Sequence, residues 1–262
     1  MLSPSVQCTV ANGVNWINFP SELQSKPISL FLIETRVNSN LLEYIELLVP
    51  VNEIEISKSY FHQPKKESYL INRSIVRILL SACCSKGYKN IELLPGVNGK
   101  PRVADCPNLH YSVSYSAGYM VLAIAASPIG ADLEYARTDF QFQDIIDFSF
   151  SLSENDFVRQ SANPTCAFYT LWTRKEALVK ATAKGIDDDF RDIPSLEGSH
   201  PLDQTKLATS ISWTTSSFSA GNNCIAAISY SSRFTVEDIA FYKVGNLASA
   251  LFSSPTLPII TA

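Results

Sequence analysis

The order helix, then hairpin, occurs twice in this chain, and that repetition constrains the fold more than any other feature. "ESYLINRSIVRILLSACC" (67–84) carries Leu70, Ile71, Ile75, Ile78 and Leu79 at helical spacing. "LHYSVSYSAGYMVLAIAAS" (109–127) follows as two extended runs about Ser116-Ala117-Gly118, the pattern of a β-hairpin. Farther on, "FYTLWTRKEALVKATAKG" (168–185) reads as a helix and "ATSISWTTSSFSAGNNCIAAISYSS" (208–232) as a second hairpin. The turns agree in letters, Ser116-Ala117-Gly118 against Ser219-Ala220-Gly221, at an offset of 103 that also pairs Ile75-Val76-Arg77 with Leu178-Val179-Lys180. The expectation is an α+β pseudo-dimer of two similar halves, 1–129 and 130–262, each with a small antiparallel sheet and a long helix. A strand is expected at 28–35, a helix at 41–50, a turn at 97–103 and an extended segment at 128–136. Two packed halves leave a cleft between them, a usual place for a ligand.

Composition narrows the function. The net charge of −4 argues against a nucleic-acid binder. The N-terminus lacks a charged region followed by a long apolar run, and the longest apolar stretch (119–131) is too short to span a bilayer and contains Pro128. Six cysteines form no C-x-x-C pair, so a reduced, cytoplasmic chain is expected. Only His62, His110 and His200 are present, far apart, which disfavours a zinc site or a histidine triad. No phosphate-binding loop, dinucleotide fingerprint or nucleophile elbow occurs.

Acids and a lysine remain. In "GADLEYAR" (130–137), Asp132 and Glu134 are two apart, so on a strand they face one way. In the second helix Trp172, Glu176 and Lys180 fall on one face. Three carboxylates without histidine or thiol suit a hard cation such as Mg²⁺. The plainer alternative is an edge strand in water and a surface Glu176–Lys180 pair.

Taken together, "GADLE" and "WTRKEALVKATAKG", preceded by "NGKP" (98–101) and "HYSVSYS" (110–116), resemble the signature of the surfactin-type 4′-phosphopantetheinyl transferases. The motifs span residues 98–185, and the repeat extends the likeness over about 65–245. The family fold is also a pseudo-dimer of two α+β halves. The resemblance implies transfer of the phosphopantetheine arm of coenzyme A onto a serine of an apo acyl or peptidyl carrier protein, releasing 3′,5′-adenosine bisphosphate. It implies Mg²⁺ on Asp132, Glu134 and Glu176, with Glu176, Lys180 and Asp132 catalytic. Lys100, Ser114, Tyr115, Lys175 and Lys180 would line the coenzyme A site, and Arg77, as the repeat partner of Lys180, would face the cleft unless it is a solvated helix residue. The resemblance leaves Lys180, Glu154 or a metal-bound hydroxide as general base, and implies that Trp172 packs the helix on the acid strand. A monomer is expected, with no membrane or nucleic-acid partner.

Departures from the pattern fall on the nucleotide side. Tyr115 stands where the family has His, Ser112 where it has Asn, Ser68 near an upstream basic position, and Ala183 where it has Gly. Lys65, Lys66 and Arg73 are nearby substitutes. A changed donor or acceptor on the same metal site, or a non-catalytic binding subunit, are the competing readings. Five phenylalanines in 139–157 lie where the family meets its carrier, or fill the core. Asp187-Asp188-Asp189 reads as a solvated loop rather than a second metal site, and the tail 247–262 is not readable.

Overall fold

A computed structural model describes residues 3–19, 24–84 and 86–253. The chain runs β1 (Ser5–Val10), β2 (Trp16–Phe19) and β3 (Ile28–Glu34), then a 3-10 stretch and the short helices α1 (Ile45–Leu48) and α2 (Val51–Lys58). The long helix α3 (Gln63–Cys84), the small strands β4 (Leu93–Pro95) and β5 (Pro101–Val103), and the hairpin β6 (His110–Ser116) and β7 (Tyr119–Ala125) complete the first half. The second half has β8 (Ile129–Tyr135), α4 (Gln143–Ser149), α5 (Leu152–Gln160), the long helix α6 (Pro164–Thr182), β9 (Gly198–Pro201) and α7 (Gln204–Leu207). It ends with β10 (Trp213–Gly221), β11 (Cys224–Ser231), β12 (Ile239–Val244) and α8 (Leu247–Ser253). The part of the tail beyond residue 253 lies outside the described residues.

The mixed α+β architecture agrees with expectation, and its topology repeats. In the first half β3, α3, β6 and β7 follow in order, with β3–β7 and β6–β7 antiparallel. In the second, β8, α6, β10 and β11 follow in the same order, with β8–β11 and β10–β11 antiparallel. The matching letters misplaced the second turn, however. Ser116 pairs with Tyr119, so Ala117-Gly118 is the first two-residue turn. Gly221 pairs with Cys224, so the second is Asn222-Asn223, and Ser219-Ala220-Gly221 belongs to a bulged strand end. All four turn residues have positive φ, the requirement of a tight turn matched to strand twist, which Asn meets more readily than other residues that carry a side chain.

The ends of the chain cross over. β1 joins the second-half sheet, parallel to β10, and β12 joins the first-half sheet, parallel to β3. The sheet orders are β8-β11-β10-β1-β9 and β2-β12-β3-β7-β6. A cut between residues 129 and 130 therefore separates the hairpins but not the sheets.

The two sheets pack face to face, with α3 and α6 on their outer sides. Alternate residues of β3 and β7 divide between the α3 core (Phe31, Ile33, Leu122, Ile124) and the inter-sheet core (Leu30, Leu32, Val121, Ala123). On β8, Ile129, Ala131 and Leu133 fill the inter-sheet core and are fully buried. Burial of an Ile or Leu side chain contributes about 1.5–3 kcal/mol. A one-residue slip would expose these and drive Asp132 and Glu134 into the apolar layer, so the register of the acid strand is fixed.

Candidate active site

Gly130 explains how α6 reaches the acid strand. A Cβ there would lie 1.9 Å from the Ala177 carbonyl oxygen and 2.4 Å from the Ala181 nitrogen. Only a residue without a side chain permits that approach. α6 itself starts at Asn163, whose side chain accepts from the Cys166 N–H, with Pro164 as its first residue. It ends at Ala183, held at φ 56 in the left-handed region where Gly would be unstrained. Between these ends, Glu176 and Lys180 face β8.

Lys180 and Asp132 meet directly, with Glu134 and Glu176 close enough for their charges to act on one another. Lys180 Nζ donates to Asp132 Oδ1 at 2.6 Å and to Ser114 Oγ at 3.1 Å. Ser114 Oγ donates to the same Asp132 oxygen at 2.7 Å. Asp132 is 2% exposed, so β8, although an edge strand, is not in water here. Its other oxygen, Oδ2, is buried without a hydrogen-bond partner. Leaving a charged acceptor so costs about 1–3 kcal/mol or more. Burial raises the pKa of Glu134, and Asp132 adds to this against Ser116 and Lys180. Burial also raises Glu176 to about 7, with Asp132 and Glu134 adding and Lys180 opposing.

Three acids around one lysine thus leave unbalanced negative charge, and one buried carboxylate oxygen, Asp132 Oδ2, has its lone pairs unpartnered. That donor set fits a small hard cation, which would relieve the crowding and occupy the orphaned oxygen. The fit is one of chemistry: among the described residues, no three His, Cys, Asp or Glu side chains converge at metal-binding distances.

Lys100 borders this cluster. Its Nζ donates to the carbonyls of Ile129 (2.8 Å) and Ala181 (3.3 Å), and burial lowers its pKa to about 8. Asn98 holds the same loop on the end of α6, donating to the carbonyls of Ala183 (2.9 Å) and Lys184 (2.7 Å). A cavity of about 260 Å³ lies between Lys100, Ser112, Val113, Glu176 and Lys180. Tyr115, on the opposite face of β6 from Ser114, is exposed and lies towards Arg73 and Tyr69 of α3.

Several expected residues lie elsewhere. Arg77 does not face the cleft. It is buried, donating from Nε (3.1 Å) and Nη2 (2.8 Å) to Glu53 and from Nη1 to the Tyr88 and Ile91 carbonyls. Lys175 is fully buried on another face of α6 and does not line a coenzyme A site. Its Nζ pairs with Glu154 at 2.9 Å and donates to the carbonyls of Arg191 (2.9 Å) and Ile193 (2.5 Å). Glu154 is no free base, since it also accepts from Ser195 N–H (2.9 Å) and Oγ (2.6 Å) and closes the capping box of α5. Trp172 stacks on Phe168 and meets Phe190. Of the five phenylalanines, Phe142 and Phe150 are buried, whereas Phe148 and Phe157 are exposed. Asp187 forms an ion pair with Lys184 at 2.6 Å.

Sequence reasoning missed the role of Ser112 and Ser116. Ser112 Oγ accepts from the Ala131 N–H at 2.9 Å, and Ser116 Oγ accepts from the Tyr135 N–H at 3.0 Å while donating to Glu134 Oε2 at 2.9 Å. With Ser114 they join the edge of β6 to the edge of β8. The signal was in "HYSVSYS", serine at every second position of a strand.

Comparison with known proteins converges on this region. Residues 128–229 match the 4′-phosphopantetheinyl transferase superfamily. The chain is 27% identical over 134 residues to 4′-phosphopantetheinyl transferase Sfp of Bacillus subtilis, covering 50% of this chain and 59% of that protein. It is 38% identical over 92 residues to 4′-phosphopantetheinyl transferase psf-1 of Bacillus pumilus, covering 34% and 38%. A longer alignment, 24% identical over 229 residues, joins it to 4′-phosphopantetheinyl transferase HetI of Nostoc sp., covering 81% and 92%. The first of these likenesses thus spans under two thirds of its relative's length. The region that matches the 4′-phosphopantetheinyl transferase superfamily begins just before the acid strand and contains the whole helix that faces it, so the likeness falls on the site itself.

Proposed function

We propose that the protein is a Mg²⁺-dependent 4′-phosphopantetheinyl transferase acting, as a cytoplasmic monomer, on coenzyme A and an apo acyl or peptidyl carrier protein. The observation that carries this reading is the Lys180–Asp132–Ser114 contact flanked by Glu134 and Glu176, an anionic cluster with one orphaned oxygen beside a cavity. Residues 1–129 would supply the donor-binding side and 130–262 the metal-binding acids and catalytic helix. Asp132, Glu134 and Glu176 would hold the cation, which supplies charge neutralisation to the pyrophosphate.

The chain's own residues do the rest. Lys100 and Lys180 offer ammonium groups to phosphate oxygens, while Ser114 spends its one hydroxyl proton holding Asp132. Lys180, one turn beyond Glu176, faces the charge that develops during phosphoryl transfer. The carrier's serine oxygen forms a bond to the β-phosphorus while the bond to the bridging oxygen breaks. 3′,5′-Adenosine bisphosphate leaves. The serine proton needs an acceptor, and with Glu154 enclosed in its own network the cleft offers Glu176 or a Lys180 released from Asp132.

A second reading keeps the site but changes the donor. Tyr115 carries no charge near neutral pH, and Arg73 beside it is engaged by Glu53 in a two-point contact. The cation next to Tyr115 is thus already paired, which leaves Lys65 and Lys66 at the start of α3 as the basic side chains of that helix without a carboxylate partner among the described residues. The test is incubation with coenzyme A or dephospho-coenzyme A, Mg²⁺ and several apo carriers, followed by mass spectrometry. A phosphopantetheine-sized gain on the carrier supports transfer. Equal use of both donors favours the second reading, and no gain with any carrier defeats both.

A further inference from the structure

Asp132 and Glu134 stand side by side on β8, yet they are held differently. Asp132 has two side-chain partners, Lys180 and Ser114. Glu134 has one among the described residues, the hydroxyl of Ser116. That hydroxyl has a single proton, which goes to Glu134 Oε2 at 2.9 Å, and its lone pair accepts the Tyr135 N–H at 3.0 Å. Both contacts together fix the rotor, so Ser116 cannot turn away without breaking one. Ser116 belongs to the first half and Glu134 to the second. The carboxylate is therefore aimed from across the junction between the halves.

The geometry points to Ser116 as a positioning residue that orients Glu134 for a divalent cation and so sets the affinity of the site for it. The inference rests on the reading of the three acids as a metal site. Hydrogen bonds to ligating carboxylates fix their direction, and losing such a partner typically weakens metal binding by about 10–100-fold. Without Ser116, Glu134 has no side-chain restraint, and its rotamer freedom must be lost when the ion binds. Ser114 cannot replace it, because its proton is already directed to Asp132 at 2.7 Å.

The experiment is titration of the full chain with Mn²⁺, without coenzyme A or carrier, reading free Mn²⁺ by electron paramagnetic resonance. Wild type should show one saturable site. Ser116→Ala should bind about ten-fold more weakly, with a thermal midpoint in metal-free buffer close to that of wild type. Ser116→Thr, which keeps the hydroxyl, should restore most of the affinity, whereas a purely structural role would leave Mn²⁺ affinity unmoved in either variant. Should Ser116→Ala not fold, Ser116→Cys, close in volume and a weak donor, is read the same way. Asp132→Asn serves as the control that removes a ligand. Unchanged affinity in Ser116→Ala, with Asp132→Asn deficient, overturns this inference and leaves the metal site standing. A wild type without saturable binding, or an Asp132→Asn variant that binds normally, overturns the metal reading and this inference with it.

Discussion

Arg77 on α3 and Lys180 on α6, each on the long helix of its half, live in opposite electrostatic settings. Around Arg77 two arginines share one carboxylate, Glu53, and the remaining Arg77 N–H groups go to backbone carbonyls. Around Lys180 the ratio is reversed: three acids face one lysine, and Asp132 Oδ2 has no partner. The first network is closed and 2% exposed at Arg77; the second opens on a cavity, with the Lys180 side chain 30% exposed. Duplicating a helix does not duplicate a site. What distinguishes the working copy is the polar capacity it leaves unfilled.

Breaking each network should have a different signature. Arg77→Met leaves Glu53 buried with half its partners, and loss of a buried pair costs about 3–5 kcal/mol. We expect a large fall in thermal midpoint by calorimetry, with the folded fraction keeping its turnover. Lys180→Met should do the converse: a near-normal midpoint, and turnover lowered by roughly a hundred-fold or more, as for loss of a group stabilising transition-state charge. Coenzyme A affinity should change far less, and a pure affinity loss would make Lys180 a clamp instead. Glu176→Gln should abolish transfer while the protein remains folded; unimpaired turnover with the same Mg²⁺ dependence would remove Glu176 from the site.

The acid excess also predicts a pH effect. Glu176 is raised from 4.5 to about 7 in the folded chain, so the native state binds the proton more tightly than the unfolded one. Its stabilisation is full below pH 4.5 and is lost as pH rises through about 7, by about 3 kcal/mol at most. Metal-free wild type should lose midpoint across that window relative to Glu176→Gln, and saturating Mg²⁺ should flatten the difference. Parallel curves would show that Glu176 is not crowded as described.

Much of the second half was legible in the sequence because periodicity is local. The alternation of β8 and the facing of Glu176 and Lys180 on α6 follow from spacing alone. What failed depended on partners far along the chain. Nothing in the letters around Arg77 announces Glu53, and nothing around Lys175 announces Glu154, so two buried cations passed for ligand contacts. The repeated Ser-Ala-Gly misled because turn position is set by strand pairing, and a bulge near Ser219 moved it to Asn222-Asn223. The serine edge of β6 was visible but was read as motif letters rather than as a strand face.

Smaller effects sharpen the nucleotide side. Tyr115→His should tighten coenzyme A several-fold if the donor is ordinary, by about 1 kcal/mol and more below pH 6.5, since a charged donor to phosphate outweighs a neutral one. No change would favour the altered-donor reading. Ala183→Gly should relieve the left-handed strain at the end of α6. The expected gain of about 1 kcal/mol corresponds to roughly 2–4 °C in thermal midpoint for a chain of this size; a loss would show that the φ of 56 is not strained here.

The crossing of the chain ends bears on how the protein is made. β1 leaves the ribosome about two hundred residues ahead of its partner β10; Ser5 bonds Ser212 across 207 positions. At about 5–20 residues per second that interval is roughly 10–40 s. β3 waits even longer for β12 along its second edge. Neither sheet can close from its own half, so β1 and β3 each present an unpaired edge until β10 and β12 have been made. Synthesis of one half alone should yield a sticky fragment, and the two halves should fold as one cooperative unit rather than in sequence.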